Sequence, residues 1–527
     1  MSGPEQDVGN SAATQRVLWL FVAIGIFIRL PSILVPMPRL LTFVADDFFY
    51  YDRIALHLAQ DGRPTFDGVT LTSGFQPAYQ FLWAAFRLVA TSDPETAARI
   101  SVAWQQIFAV VSGLFLFSLL RRIAGPVAGL VGAGIWLLNP FAVQIPGMGV
   151  ETGLTAFAVT GTMAAYCGVG RHRTLAVALG CAVLPAVRLD VGLLSALIAL
   201  FEARRSLARG LLFAAAAPSL VVPWFLWCGS HIGGYLPGSG AAAFLDAHTP
   251  FFLATDPRAQ PIAFVLNGLQ FFQQFVESLG ARMGLGGAQP VELFTLAAAA
   301  LAWMSLGVPR YEKAWSALAP LWGTAVGTMA FFGIVLWHGQ TWYFVPAVLA
   351  LCCSVGLVSA AIGDWFVSWR SAPARPVAEA GAPIVWPYRT FLLVALASSL
   401  AWWNIRFTLR DGKHPHAIGF YQAALEIRDH TPPGARIGAF NAGTIASFSN
   451  RTVFNLDGIT NAEALEALRA RDLSSYLARA HVDYLTDQPR VLHVFSIMGL
   501  HESDWRMVWQ SAIPLRDDDR PAIYARR

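Results

Sequence analysis

Apolar residues recur along this chain in runs close to the length, about 20 residues, that a helix needs to cross a hydrocarbon core of about 30 Å. About eleven such runs are present, at roughly 17–36, 98–119, 125–145, 153–169, 174–187, 191–203, 208–229, 290–307, 315–336, 342–362 and 388–404. The pattern predicts a polytopic α-helical membrane protein. Two of the runs, 174–187 and 191–203, are short, and we expect them to form one broken pair meeting at Arg188–Asp190 within the membrane.

Basic residues orient these spans. Arg121/Arg122, Arg171/Arg173, Arg204/Arg205/Arg209, Arg310/Lys313 and Arg370/Arg375 fall in alternate loops, while the short opposite loops near Glu151 and His338 carry no Lys or Arg. The positive-inside rule then puts the N-terminus (1–16) in the cytoplasm and three long segments outside: 37–97, 230–289 and the tail 405–527. Within 37–97, Asp47–Gln60 and Pro77–Ala90 read as helices lying at the membrane surface. Counting the second as a span would invert every later loop. The tail changes character, with alternating helix and strand patterns: a helix at His416–His430, strands at Arg436–Ala439, Thr452–Asn455, Asp483–Thr486 and Ala522–Ala525, a helix near Gly443–Phe448, and two helices flanking Asp472. A small soluble α/β domain is expected there, after a membrane domain at 17–404 with an Ala/Pro linker at Ser371–Pro383.

Composition supports this picture. Of 527 residues, 55% are hydrophobic and 13% charged, about half the charge of an ordinary globular domain. The net charge of +4 is scattered and forms no basic stripe, which argues against a nucleic-acid partner. All five cysteines lie in or beside apolar stretches, without metal-ligand spacing. The first apolar run is longer than a signal-peptide core and is expected to stay as an anchor.

The chemistry concentrates at Ala45-Asp46-Asp47-Phe48-Phe49-Tyr50-Tyr51, just outside the first span. Paired carboxylates at a membrane surface are expensive unless they face a cavity, a cation or a substrate, although either could instead cap the helix that follows. A second acid, Glu151, sits in Gly147-Met148-Gly149-Val150-Glu151-Thr152-Gly153 on the same face. Neighbouring carboxylates raise one another's proton affinity, which suits a general base. Arg188 is a charge inside an apolar stretch that pairs with a phosphate or, structurally, with Asp190. His338, Gln340 and Tyr343 lie in a tight outer loop, and Tyr50, Tyr51, Arg53 and Gln76 are further substrate-binding candidates in the first outer segment. Arg29, within the first span, reads as snorkelling or cavity-facing, and Asp457-Gly458 as an ordinary turn.

The order of these motifs resembles the GT-C superfamily of glycosyltransferases, which includes the protein mannosyltransferases, the lipid A aminoarabinose transferases and the mycobacterial arabinosyltransferases. The motifs are Asp46–Tyr51, Phe66-Asp67-Gly68-Val69-Thr70-Leu71-Thr72-Ser73-Gly74-Phe75-Gln76-Pro77, the Met-Gly-Val-Glu-Thr-Gly loop, Arg188-Leu189-Asp190, Gly234-Tyr235-Leu236-Pro237-Gly238-Ser239 and Trp342-Tyr343-Phe344-Val345-Pro346. In the tail, Asn441-Ala442-Gly443 and Asn455-Leu456-Asp457-Gly458 are similar to bacterial members of the group. The resemblance implies Asp46 or Asp47 as catalytic base, Glu151 as a second acid, and a sugar moved with inversion from a polyprenyl-phosphate donor to a glycan or lipid acceptor in the periplasm, by a protein of the bacterial inner membrane. Where many relatives have Pro-Asn-Thr this chain has Pro237-Gly238-Ser239, which leaves the role of that loop open. Acids converging on a phosphate leaving group also leave room for a divalent cation, Mg2+ or Mn2+, at Asp46, Asp47 and Glu151, though no dense ligand cluster demands one. The alternative is a transporter or lipid flippase using Arg29, Arg188 and Asp190, against which stands the lack of a visible internal repeat.

Overall fold

A computed structural model describes residues 4–90, 93–282, 309–338, 340–370, 417–513 and 520–527. Expected spans 290–307 and 388–404, the linker Ser371–Pro383 and residue His416 lie outside the described residues.

Among the described residues, four stretches, Ala12–Leu34, Pro94–Ala124, Tyr311–Val335 and Trp342–Asp364, are long and apolar enough to cross a membrane, and Pro126–Leu138 with Pro140–Met148 form a fifth that bends by 56°. Shorter apolar helices follow at Thr152–Tyr166, Arg173–Val187, Gly192–Ala203 and Leu207–Ala216. The chain is a multi-pass membrane protein. Its outward faces carry exposed Leu179, Leu200 and Leu211, as helices in lipid do. The expected span at 208–229 is itself broken, since a second helix begins only at Val222.

The bend at Asn139-Pro140 has a local cause. Proline has no N–H for the helix ladder, so carbonyls before it lose their partners. Asn139 Oδ1 accepts from Phe141 N at 2.8 Å, and the Leu137 carbonyl accepts from Arg29 Nη1 at 2.6 Å. Arg29 donates as well to the carbonyls of Gly25 and Ala142 and is 2% exposed. It neither snorkels nor faces a cavity: the broken span needed donors, and this cation supplies them.

The outer helix Asp46–Asp61 differs from the surface helix expected. Phe48, Phe49, Ile54 and Ala55 are buried, because the helix is wedged between the membrane bundle and the tail. The helix Pro77–Val89 holds it from one side through Asp52, whose carboxylate accepts from Arg87 Nη2 (2.6 Å), Arg87 Nε (2.8 Å) and Trp83 Nε1 (2.9 Å). Segment 230–289 contains two helices, Gly238–Ala254 and Gln260–Arg282.

Among its described residues the tail forms a five-stranded sheet flanked by helices. Its strands are β1 (Arg436–Ala439), β2 (Thr452–Asn455), β3 (Tyr484–Asp487), β4 (Trp505–Gln510) and β5 (Ala522–Arg526), in the order β2-β1-β3-β5-β4. β2, β1 and β3 run parallel, whereas β5 pairs antiparallel with both β3 and β4. The parallel strands therefore end on one side of the sheet, at Asn455, Ala439 and Asp487, and that side meets the membrane domain.

Candidate functional site

The helix Asp46–Asp61 turns one stripe, Asp46, Asp47, Tyr50, Tyr51 and Ile54, toward a cavity of about 280 Å3. These positions recur at the three- and four-residue spacing of one helix face. Gln76, Glu151, Arg188, His338, Gln340 and Tyr343 line the same cavity, so residues spread over some three hundred positions of sequence converge. Arg53 falls outside the stripe and lines neither this cavity nor its neighbour; it lies beside Asp52 instead.

The two adjacent aspartates have different environments. Both oxygens of Asp46 are engaged by the tail: Gly443 N donates to Oδ2 at 2.8 Å, and Thr444 N and Oγ1 donate to Oδ1 at 2.7 and 2.6 Å. These amides open the helix Ala442–Ser449, which follows β1. A helix N-terminus carries unsatisfied N–H groups and a partial positive charge, and binds anions readily. Here the anion is a carboxylate from the membrane domain. One turn along, the Tyr50 hydroxyl accepts from Ala442 N at 2.9 Å and donates to the Phe440 carbonyl at 3.1 Å. Asp46 and Tyr50 thus fasten the tail. Gly443 makes this approach feasible, since a Cβ there would overlap the Asp46 carbonyl oxygen. A Cβ on Gly74 would similarly overlap the carbonyl of Ile459, at a second point of domain contact.

Asp47, by contrast, has no hydrogen-bond partner among the described residues beyond its own backbone N–H. Burial first, then the nearby charges of Asp46 and Glu151, push its carboxyl up to about 7. Glu151 is bound to Arg188, Nη1 to Oε1 at 2.6 Å, and Arg188 Nε reaches Asp190 Oδ1 at 3.0 Å. The pairing of Arg188 with Asp190 was foreseeable from the sequence, but the closer partner is Glu151. Tyr51 hydrogen-bonds Glu151 and accepts from Gln76 N at 3.2 Å. The guanidinium of Arg188 lies 4.8 Å from the centre of the Tyr343 ring. Burial lowers the His338 imidazole to about 4, so it is neutral at ordinary pH and can donate a hydrogen bond.

A larger cavity of about 910 Å3 adjoins this one; both are lined by Gln76, Arg188, Ser239, Ala243, Tyr343 and Ile459. Its other walls include Leu189, Leu193, Ile232, Leu236, Phe331 and Phe332. A polar chamber and an apolar one meet at Arg188.

The sequence reading did not single out Asp246, and it noted Asn441 and Asp457 in the tail without placing them at the site, whereas all three line the cavity. Asp457-Gly458 does form a turn, with Ile459 N donating to Asp457 Oδ1 at 2.8 Å and Gly458 at φ 82°, yet the same carboxyl also faces the cavity. The clue available was its Asp-Gly pattern at the end of a strand. As a ligand set for a divalent cation, Asp46, Asp47 and Glu151 do not fit: Asp46 is engaged by the helix amides and Glu151 by Arg188. Among the described residues no three His, Cys, Asp or Glu side chains are grouped to hold a metal ion.

Residues 407–524 match a family described as a domain of unknown function (DUF8728). No curated protein matches the sequence. Among solved structures, the archaeal oligosaccharyltransferase AglB from Archaeoglobus fulgidus, in complex with an inhibitory peptide and a dolichol-phosphate, is similar with a TM-score of 0.57 and 13% identity, over 98% of this chain and 74% of that one. ArnT from Cupriavidus metallidurans bound to undecaprenyl phosphate is similar with a TM-score of 0.56 and 15% identity, over 96% of this chain and 97% of that one. At such identities the likeness speaks for architecture: this chain is a membrane protein of the GT-C fold with a small α/β domain at its C-terminal end.

Proposed function

We propose that the protein is a membrane glycosyltransferase that moves a sugar from a polyprenyl-phosphate donor to a glycan or lipid acceptor, with inversion, and with Asp47 as the base. The observation that carries this reading is the meeting of an acid-lined chamber and an apolar chamber at Arg188. The apolar chamber suits a prenyl chain, Arg188 its phosphate, and the polar chamber the sugar and the attacking hydroxyl. The polyprenyl phosphates bound to AglB and ArnT support the same class of donor.

Asp47 takes the proton of the acceptor hydroxyl as its oxygen attacks the anomeric carbon. The bond from that carbon to the phosphate oxygen breaks, and its electron pair leaves on the phosphate. One displacement inverts the centre. Arg188, positioned by Glu151 and Asp190, and the neutral His338 with Gln340 donate hydrogen bonds to the departing phosphate, stabilising charge where it develops. A base near neutral proton affinity suits this step. On this reading the site faces the periplasm from a bacterial inner membrane; the positive-inside pattern supports its outer orientation and the family resemblance supports the membrane.

The test is transfer of labelled sugar from a panel of polyprenyl-phosphate sugars by the purified protein in lipid. Consumption of one donor by wild type, abolished in Asp47→Asn, is the expected result. If no donor is used, or Asp47→Asn equals wild type, the reading fails and a transporter takes its place.

A further inference from the structure

The α/β tail contributes a wall to the polar chamber, and Asp457 is its acidic residue there. β1 and β2 are parallel neighbours, so Asn441, just past β1, and Asp457, just past β2, emerge on the same side. In open α/β sheets, ligands bind in the crevice beyond the carboxyl ends of parallel strands. The helix N-terminus in this crevice is already filled by the Asp46 carboxylate. What the tail still presents to the chamber is Asn441, Asp457 and Ile459. Asn441 is held in place by Asp487 at the end of β3, which accepts from its backbone N at 2.9 Å and its Nδ2 at 3.1 Å. On the outer helix Gly238–Ala254, Asp246 lines the same chamber, and burial first, then the nearby Asp246 and Asp47, hold the Asp457 carboxyl well above the usual carboxylate range.

We propose that Asp457 is an acceptor-contacting residue: its carboxyl receives a hydroxyl of an uncharged acceptor and, with Asp246, turns away anionic ones. The proposal rests on the glycosyltransferase reading. The membrane-side residues Asp47, Arg188 and His338 have roles in proton and phosphate handling there, and the opposite wall belongs to the tail. Arg188 is the chamber's one lining Arg or Lys among the described residues, and it is already bound by Glu151 and Asp190. An acceptor bearing a carboxylate therefore enters a buried chamber whose acids Asp47, Asp246 and Asp457 already hold their protons more tightly than usual, and it meets no unpaired lining cation to offset its charge.

Asp457→Asn is an incisive substitution, because the asparagine Oδ1 can still accept from Ile459 N and keep the turn. With the full chain in lipid and the donor that wild type consumes, methyl glucoside and methyl glucuronide serve as neutral and anionic acceptors. Wild type is expected to favour methyl glucoside at least about tenfold in kcat/KM, and Asp457→Asn to raise the methyl glucoside KM about tenfold, the size of one hydrogen bond. The donor KM should change much less, and the preference for the neutral acceptor should shrink, as it should in Asp246→Asn. An unchanged acceptor KM and an unchanged preference in both variants overturn the proposal, as does a wild type indifferent to acceptor charge. If wild type consumes no donor at all, the glycosyltransferase reading itself has failed. Equilibrium binding of the two glycosides then decides the charge preference alone, and identical binding by wild type and Asp457→Asn refutes it.

Discussion

Replacing Asp46 by alanine should loosen the tail, whereas replacing Asp47 should stop chemistry and leave the tail in place. Asp46 accepts three hydrogen bonds from Gly443 and Thr444, at 2.6–2.8 Å, at the positive end of a helix. Loss of a capping side chain costs about 0.5–2 kcal/mol, and hydrogen bonds to a charged group about 1.5–3 kcal/mol. Tyr50 stays to satisfy Ala442 N, so the net loss should be about 2 kcal/mol, a roughly 30-fold change in the docking equilibrium. Hydrogen exchange at the Gly443 and Thr444 amides reads this directly. Both should exchange roughly 30-fold faster in Asp46→Ala if they open by local undocking. Asp46→Asn, with one acceptor oxygen left, should fall between. In Asp47→Asn the same amides should exchange as in wild type while transfer is lost. Unchanged exchange in Asp46→Ala would refute the assignment of Asp46 to docking, and loss of protection in Asp47→Asn would refute the division of labour between the two acids.

Other consequences follow from the same geometry. If Asp47 is the base, kcat/KM should rise with pH through about 7, because the carboxyl must be ionised to accept a proton. In Glu151→Gln a neighbouring negative charge is gone, so the residual activity should show its acidic limb at lower pH; a shift upward would contradict the electrostatic account. Gly74→Ala should destabilise the contact between the first outer segment and the tail by about 1–3 kcal/mol, as overpacking does, visible as a lower Tm. Arg87→Leu leaves the buried Asp52 carboxylate with Trp83 as its hydrogen-bond donor and Arg53 as the nearby cation, and should cost up to about 3–5 kcal/mol in stability, measured by denaturation in lipid or detergent.

The membrane architecture was legible because apolar run length translates directly into span length. The cavity stripe Asp46, Asp47, Tyr50, Tyr51 was legible because a helix returns to one face every three or four residues. What stayed hidden depends on distant parts of the chain. Nothing near Asp46 announces that its carboxylate caps a helix 397 residues away, and nothing near Glu151 announces Arg188. The helices in 238–282 were hidden by Gly, Pro and polar residues that read as loop. β4, Trp505–Gln510, escaped because this edge strand exposes most of its residues and shows no apolar alternation.

The clasp between Asp46 and Gly443 also imposes a timetable on biosynthesis. The two residues are separated by 397 positions, so at about 5–20 residues per second the first acid waits roughly 20–80 s for its partner to be made. For the later part of that interval the nascent chain carries Asp47, Glu151 and Arg188 yet has an unwalled chamber. On the proposed function, competence for chemistry should arrive only once the α/β tail has folded and seated, so a prematurely terminated product should be inserted in the bilayer yet inert in the transfer assay.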